Sequence, residues 1–160
     1  MNELNIVIER VTDIDAYWHE ILPLWKGQGD YHQPLHGWAY LDDWEQRLRS
    51  RLKGGDDELV LIARVGGEPA GFLNATIRRP RSVWDYTHCY VDNVFVVQGQ
   101  RGSGISRLLL EQAESWSKSR GVYEMELIAM ANNDRAIAVW RHLGFDDQHI
   151  GMRKTLERDS

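Results

Sequence analysis

From Asn5 to Val11 (NIVIERV) apolar and polar residues alternate, the period of a half-buried strand. Thr12 or Asp13 is placed to cap a helix that follows, with Ile14, Tyr17, Trp18, Ile21 and Leu22 on one face. Pro23 is expected to kink or end that helix, and Gly27 to Pro34 reads as a polar loop rich in glycine. A second helix is predicted over 41–53, starting near Asp42-Asp43, where carboxylates suit the helix dipole, and stopped by Gly54-Gly55-Asp56.

The period then changes to two. Leu59 to Val65 and Ala70 to Ile77 read as strands joined across Gly66-Gly67-Glu68-Pro69, a hairpin signal. His88 to Val97 is a third apolar strand. Ile105 to Arg120 is an amphipathic helix carrying Ile105, Leu108, Leu109, Ala113 and Trp116 on one side, with Gly121 as its stop. A strand over 124–129, a short helix from Asp134 to Leu143 closed by Gly144, and a last strand over 150–156 complete the chain. The order is β-α-α-β-β-β-α-β-α-β. Hairpins and helices share one sheet, so the expected class is α/β (α+β), a mixed and mostly antiparallel sheet flanked by helices. No repeat or linker divides residues 1–160, which read as a single domain.

Composition narrows the function. Hydrophobic residues make up 42% and charged residues 27%, an ordinary globular balance. No apolar run approaches the roughly 20 residues of a membrane span, so no membrane partner is expected. The first residues, Met1 to Asn5, carry no basic region followed by an apolar stretch, and no secretory signal is read there. Cys89 is the only cysteine, so no intramolecular disulfide can form, which suits a cytoplasmic location. The formal net charge of −5 argues against a nucleic-acid partner, which needs a basic face, and permits a cationic substrate.

The most informative stretch runs from Val94 to Ser106 (VFVVQGQRGSGIS). An apolar strand enters a loop of glycines and one arginine, and an amphipathic helix leaves it. Glycines let the backbone turn tightly against a ligand, and the first helical turn has unpaired N–H groups and a partial positive charge. Together they suit a phosphate or pyrophosphate. A Walker loop needs a lysine that Gly104-Ile105-Ser106 lacks, and a dinucleotide loop needs a third glycine that Gly102-Ser103-Gly104-Ile105-Ser106-Arg107 lacks. The pattern that fits is R/Q-x-x-G-x-G/A between strand and helix. Here the chain resembles the GNAT superfamily of acetyltransferases, whose fourth strand and coenzyme loop match Val91 to Ile105. Ser106 departs from the family's usual Gly or Ala but is small enough to leave the site intact.

A second stretch, Asn132 to Phe145, is similar to the family's C-terminal signature N-x-x-A-x-x-x-Y-x-x-x-G-F, with Asn133, Ala136, Gly144 and Phe145 on matching positions. The resemblance implies acetyl-CoA as co-substrate, with no metal. It implies a coenzyme site formed by Val94, Phe95, Val96, Arg101, Gly102, Ser103, Gly104, Ile105, Ser106, Asn133, Ala136 and Trp140. Backbone groups at Val94 and Val96 would bond the pantetheine, and the Val94 N–H would polarise the thioester carbonyl. A bulge would splay the fourth strand from the fifth. Trp140 stands where many members place a proton-donating tyrosine. An indole N–H is no acid near neutral pH, so packing against the thioester end is the expected role.

An amine must lose a proton before it attacks a thioester, and Asp92 matches the position of a catalytic carboxylate in several members. The other reading of Asp92 is a strand aspartate paired with an arginine or a backbone N–H. Strand alternation points Asp92 across the sheet from Asn93. Cys89, on a buried strand, reads as inert core rather than a covalent relay. The resemblance places the rim of the acceptor pocket over 25–40, 83–87 and 146–149, which hold Trp25, Tyr31, His32, His36, Trp38, Trp84, Asp85 and Tyr86. Tyr31, Trp38, Trp84 and Asp85 are the candidate contacts, aromatic and acidic groups suited to a cationic amine. His32 and His36 stand four residues apart but lack a carboxylate at metal-ligand spacing, and Pro34 argues against a regular helix between them. The expected activity is transfer of the acetyl group to a primary amine of a small cationic molecule. Acetylation of protein N-termini or lysines and a non-catalytic acetyl-CoA sensor are the alternatives. The partner is a small-molecule or peptide amine, and the assembly a monomer or homodimer.

Overall fold

The alternating segments pair into one five-stranded sheet in a computed structural model of the protein, which describes residues 5–159. Residues 1–4, read above for a leader, lie outside the described residues. The elements are β1 (Ile6–Arg10), α1 (Ile14–His36), α2 (Trp44–Arg51), β2 (Glu58–Val65), β3 (Glu68–Arg78), β4 (His88–Val96), α3 (Ile105–Ser119), β5 (Met125–Glu126) and α4 (Asp134–His142). A single 3-10 turn occupies Gln98–Gln100. The strands lie in chain order; β1 to β4 are antiparallel and β5 joins β4 in parallel. This is the mixed, mostly antiparallel sheet flanked by helices that the pattern predicts. No described helix is long and apolar enough to cross a membrane.

Each sheet face has its own core. Leu59, Leu61, Leu73 and Val91 pack with Ile105, Leu109 and Ala113 of α3 on one face. Val60, Ile62 and Phe72 pack with Ile14, Ile21 and Leu24 of α1 and Leu48 of α2 on the other. Arg64 of β2 pins the start of α1 over the sheet by bridging Glu9 (2.8 Å) and Glu20 (2.6 Å). Its guanidinium holds the Glu20 carboxyl below the usual range.

Four sequence expectations need correction. First, α1 does not end at Pro23. It runs through Pro23 and Pro34 to His36, and the 27–34 stretch is helical rather than a loop. Both prolines are exposed, as are His19 and Asp30, whose carbonyls lose their helical donors and face water instead. The glycines there serve close packing. A Cβ on Gly27 would lie 2.8 Å from the Phe95 ring, and one on Gly29 would lie 2.2 Å from the Tyr40 hydroxyl. Second, α2 covers only Trp44–Arg51 of the predicted 41–53. Third, the strand expected over 124–129 shortens to Met125–Glu126, because the chain beyond it leaves β4. Fourth, the last strand expected over 150–156 is absent. Ile150, Met152 and Leu156 are 83%, 90% and 74% exposed. Apolar alternation makes a strand only where a sheet edge is free to pair, and β5 offers two residues.

Candidate active site

Across β3 and β4, Leu73 faces Val94 and Asn74 faces Asn93, but the next β3 residue, Ala75, faces Val91. Asp92 is therefore an extra residue in β4, a bulge. A bulge suspends strand alternation, and the side-chain contacts show it. Asp92 accepts hydrogen bonds from the Thr76 hydroxyl (2.8 Å) and from Arg78 Nη2 (3.0 Å). Asn93 donates from Nδ2 to Asn74 Oδ1 (3.0 Å). Asn74, Thr76 and Arg78 alternate along one face of β3. Asp92 and Asn93 thus emerge together on the face covered by α1, not on opposite faces as strict alternation predicts.

Beside the bulge the sheet opens. β4 and β5 pair only at Cys89–Met125 and Tyr90–Glu126. Beyond that, Val91 to Val96 border one side of a cavity of about 870 Å³, and residues 127–130 border the other. The Val97 N–H donates to the Ala70 carbonyl on β3 (2.9 Å). By antiparallel alternation the amides of Phe95 and Asn93 also face β3, and those of Val94 and Val96 face the open edge. The Val96 carbonyl accepts there from Arg101 Nε (3.2 Å). The bulge and the splay that the resemblance implies are both present.

The loop that follows leads into the first turn of α3. Gly102 and Gly104 hold φ of 80° and 86°, a region that residues with a Cβ enter only under strain. Gly104 is the N-cap of α3 and supplies no side-chain cap. The first intrahelical bond is from the Leu108 N–H to the Gly104 carbonyl, so the N–H groups of Ile105, Ser106 and Arg107 stay available to an anion. Gly102, Gly104, Ile105, Ser106 and Arg101 line the cavity. Ser103 does not; its hydroxyl donates to the Gln100 carbonyl. Gly71 seats this turn, since a Cβ on it would lie 2.8 Å from an Ile105 methyl. An open strand edge that ends at an uncapped helix is a fit for an extended ligand with a diphosphate at one end.

Residues of α4 form the opposite wall. Asn133, 5% exposed, caps α4 by accepting from the Ala136 N–H (3.3 Å). Ala136, Val139 and Trp140 line the cavity beside it. The Trp140 ring packs edge-on to Phe145 with centroids 6.4 Å apart. Asn132 Nδ2 donates to the Leu35 carbonyl (3.0 Å) and ties this wall to the end of α1.

A second cavity, of about 240 Å³, lies between α1 and the segment 38–40. Gln28, His32, His36 and Asn93 line both cavities. Of the residues expected at the acceptor rim, Trp25, His32, His36 and Trp38 meet at the small cavity and the others are dispersed. Trp38 lines the small cavity and stacks on His36 at 4.6 Å. Tyr31 lies at the α3 end of the large one, its ring under the Arg101 guanidinium at 4.8 Å. Trp84, 76% exposed, and Asp85 line neither. Asp92 is the one carboxylate among the described residues that line the large cavity. Burial, with His36 nearby, pushes the His32 imidazole below its ordinary value. Cys89 is fully buried, and burial pushes its thiol up to about 11. No described group of three or more His, Cys, Asp or Glu side chains is arranged to hold a metal.

Asn93 and Arg78 are site residues that the sequence reading passes over. Two consecutive polar residues inside an apolar strand, Asp92-Asn93, are the signal that points to a bulge. Arg78 lies 14 residues from Asp92 and reaches it only through strand pairing, which leaves no local trace.

A family model described as acetyltransferase (GNAT) family matches residues 18–145. The chain is 25% identical over 146 residues to an N-acetyltransferase of Methanocaldococcus jannaschii. That match spans 89% of this chain and 62% of that protein's length. It is 26% identical over 131 residues to the aminoglycoside N(6')-acetyltransferase type 1 of Salmonella typhimurium, covering 78% of this chain and 79% of that protein. Among solved structures, an aminoglycoside 6'-N-acetyltransferase from Acinetobacter haemolyticus superposes with a TM-score of 0.74 at 20% identity. It covers 96% of this chain and 99% of that one, a likeness of fold.

Proposed function

Given that the chain belongs to the acetyltransferase (GNAT) family, we propose that it is an N-acetyltransferase that moves the acetyl group of acetyl-CoA directly to a primary amine of a small molecule. The observation that carries this reading is the open edge of β4, which runs from the bulge at Asp92 to the uncapped first turn of α3. Relatives named as aminoglycoside acetyltransferases support a small-molecule amine.

Acetyl-CoA supplies the activated acetyl group. The free N–H groups of Ile105, Ser106 and Arg107, with Arg101, suit its diphosphate. The Val94 and Val96 amides suit the pantetheine arm, in the manner of a strand added to an edge. Val94 lies two residues from the bulge, where its N–H is suited to a developing oxyanion. Asn133 and Ala136 border the arm, and Trp140 packs against its thiol end. Asp92 serves as counter-ion to the ammonium and then takes its proton, directly or through one water. Thr76 and Arg78 each engage one of its oxygens and leave lone pairs free. The amine attacks the thioester carbon, the C–S bond breaks, and the sulfur leaves as thiolate. A free thiol titrates near ~8.5, so this leaving group needs no strong acid.

The test is thiol release from acetyl-CoA with a panel of small amines and peptides. Turnover of small amines is expected. Turnover of peptides alone would shift the reading to a protein acetyltransferase. Coenzyme binding without turnover of any amine would overturn it in favour of an acetyl-CoA sensor.

A further inference from the structure

The small cavity indicates which kind of amine this site takes. Its walls are aromatic. Trp25 and Tyr40 lie 6.3 Å apart on one side, and Trp38 stacks on His36 on another. Its polar lining consists of amides and imidazoles, namely Gln28, Gln33, His32, His36 and Asn93, and among the described residues it carries no carboxylate. The nearby Asp30 already accepts from Lys26 (2.6 Å) and from the Tyr40 hydroxyl (2.9 Å). Arg153 adds a cation 5.7 Å from the Trp38 ring. A second or third ammonium here would be desolvated without an anion, which is costly. An apolar cavity of about 150 Å³ accepts benzene, so about 240 Å³ has room for one ring and a short arm.

At the junction of the two cavities the orientation of one amide is fixed from below. Glu58 is 8% exposed, and its Oε2 accepts the backbone N–H groups of Lys53 (2.7 Å) and Gly54 (2.6 Å). Its Oε1 accepts from Asn74 Nδ2 (3.4 Å), Asn74 turns its own oxygen to Asn93, and Asn93 donates to that oxygen through Nδ2 (3.0 Å). The Asn93 carbonyl is left without a protein partner among the described residues, beside Asp92 and on the same face. Gln28 likewise has a buried carbonyl oxygen with no partner.

Resting on the N-acetyltransferase reading above, we infer that the acceptor is a primary monoamine with a flat, uncharged body. The body occupies the small cavity between Trp25, Tyr40 and Trp38. The single ammonium sits where Asp92 and the Asn93 carbonyl converge. Asp92 removes one proton. An N–H that remains donates to Asn93 Oδ1, and this aims the nitrogen lone pair at the thioester. The relay from Glu58 through Asn74 holds the Asn93 amide nitrogen and leaves its carbonyl oxygen as the acceptor.

The experiment measures thiol release at saturating acetyl-CoA with phenethylamine and tyramine against spermidine and kanamycin, first with the unaltered protein. The monoamines should exceed the polycations in kcat/KM by on the order of tenfold or more. Asn93→Leu should then raise the monoamine KM by about 10- to 100-fold, the effect of one hydrogen bond to a charged group, and leave the KM for acetyl-CoA unchanged. Equal or better turnover of spermidine or kanamycin would overturn the inference and leave the acetyltransferase reading standing. An equal rise in both KM values for Asn93→Leu would also overturn it, since that marks a structural role. No turnover of any amine would instead remove the reading on which it rests.

Discussion

Asp92 and Asn93 are consecutive on one strand, yet both side chains leave the sheet on the same face. The extra residue in β4 opposite Asn74 and Ala75 makes this possible. The consequence is chemical. A carboxylate and a side-chain amide stand on one face and line the same cavity, a pairing that a regular strand would split between two layers of the protein. Pairing of β4 with β5 also stops at Tyr90, just before the bulge, so the polar groups stand next to freed backbone.

The coenzyme loop should be intolerant of a side chain at Gly104. A valine there would have to hold φ near 86° and would project over the first turn of α3. Gly104→Val should weaken acetyl-CoA binding tenfold or more by calorimetry, at a backbone cost of about 1–3 kcal/mol. Gly99→Ala is the control, because a Cβ there meets nothing within 4 Å. Undiminished affinity in a folded Gly104→Val protein would sink the assignment of this loop.

Trp140 should be replaceable. Its ring packs on Phe145, and its indole N–H has no acidic character near neutral pH. Trp140→Phe should keep kcat within a few-fold and lower stability by about 1–2 kcal/mol through lost packing. A fall in kcat of ~10³ with coenzyme binding intact would show a direct role in the reaction.

Cys89 should take no part in transfer. Its thiol is fully buried and pushed up to about 11, so it offers almost no thiolate at neutral pH. Cys89→Ala should retain the acetyl-transfer rate within about twofold, an effect of ordinary core change. An acetylated Cys89 detected by mass spectrometry after mixing with acetyl-CoA alone would refute direct transfer.

His32 should make the fold acid-sensitive. Burial, then His36, lowers its folded value below the ordinary histidine value of about 6.5. The unfolded chain therefore binds more protons than the folded one just below that pH. Stability should fall as pH drops from about 6.5 through the folded value, and level off beneath it. Melting temperatures measured from about pH 8 to 5 should show this loss in the unaltered protein and a smaller one in His32→Gln. Parallel curves for the two proteins would rule out His32 as the source.

The backbone frame of the candidate coenzyme end was legible in the sequence because it is local. A strand, a glycine loop and a helix start follow one another over Val94 to Ser106, and the physics of an uncapped helix needs no distant partner. The acceptor side was legible only in part. Trp25, His32, His36 and Trp38 lie in the expected 25–40 segment and line the small cavity, whereas Trp84 and Asp85 sit in an exposed loop away from both cavities, and Gln28 reaches them from a helix that continues through Pro23 and Pro34. Long-range pairing decides such positions. The same holds for the tail, where Ile150, Met152 and Leu156 alternate correctly but find no edge to join.

The sharpest test of the mechanism is Asp92→Asn. The substitution keeps size and the contact with Thr76, and removes basicity. It also leaves Arg78 without its anion, so a second variant is needed to separate the two effects. Arg78→Gln removes the partner and keeps the carboxylate. If Asp92 accepts the proton, Asp92→Asn should lower kcat by ~10² to 10⁴ at neutral pH, while Arg78→Gln should change kcat far less. The deficit of Asp92→Asn should shrink as pH rises toward the amine's own value near ~10.4, because neutral amine then forms without help. If Asp92 is only a counter-ion, the variant should instead raise the amine KM and leave kcat nearly intact. A pH–rate profile of the three proteins at saturating acetyl-CoA separates these outcomes. A kcat unchanged at every pH in Asp92→Asn would take the carboxylate out of the proton path and leave water in the open cavity as the acceptor.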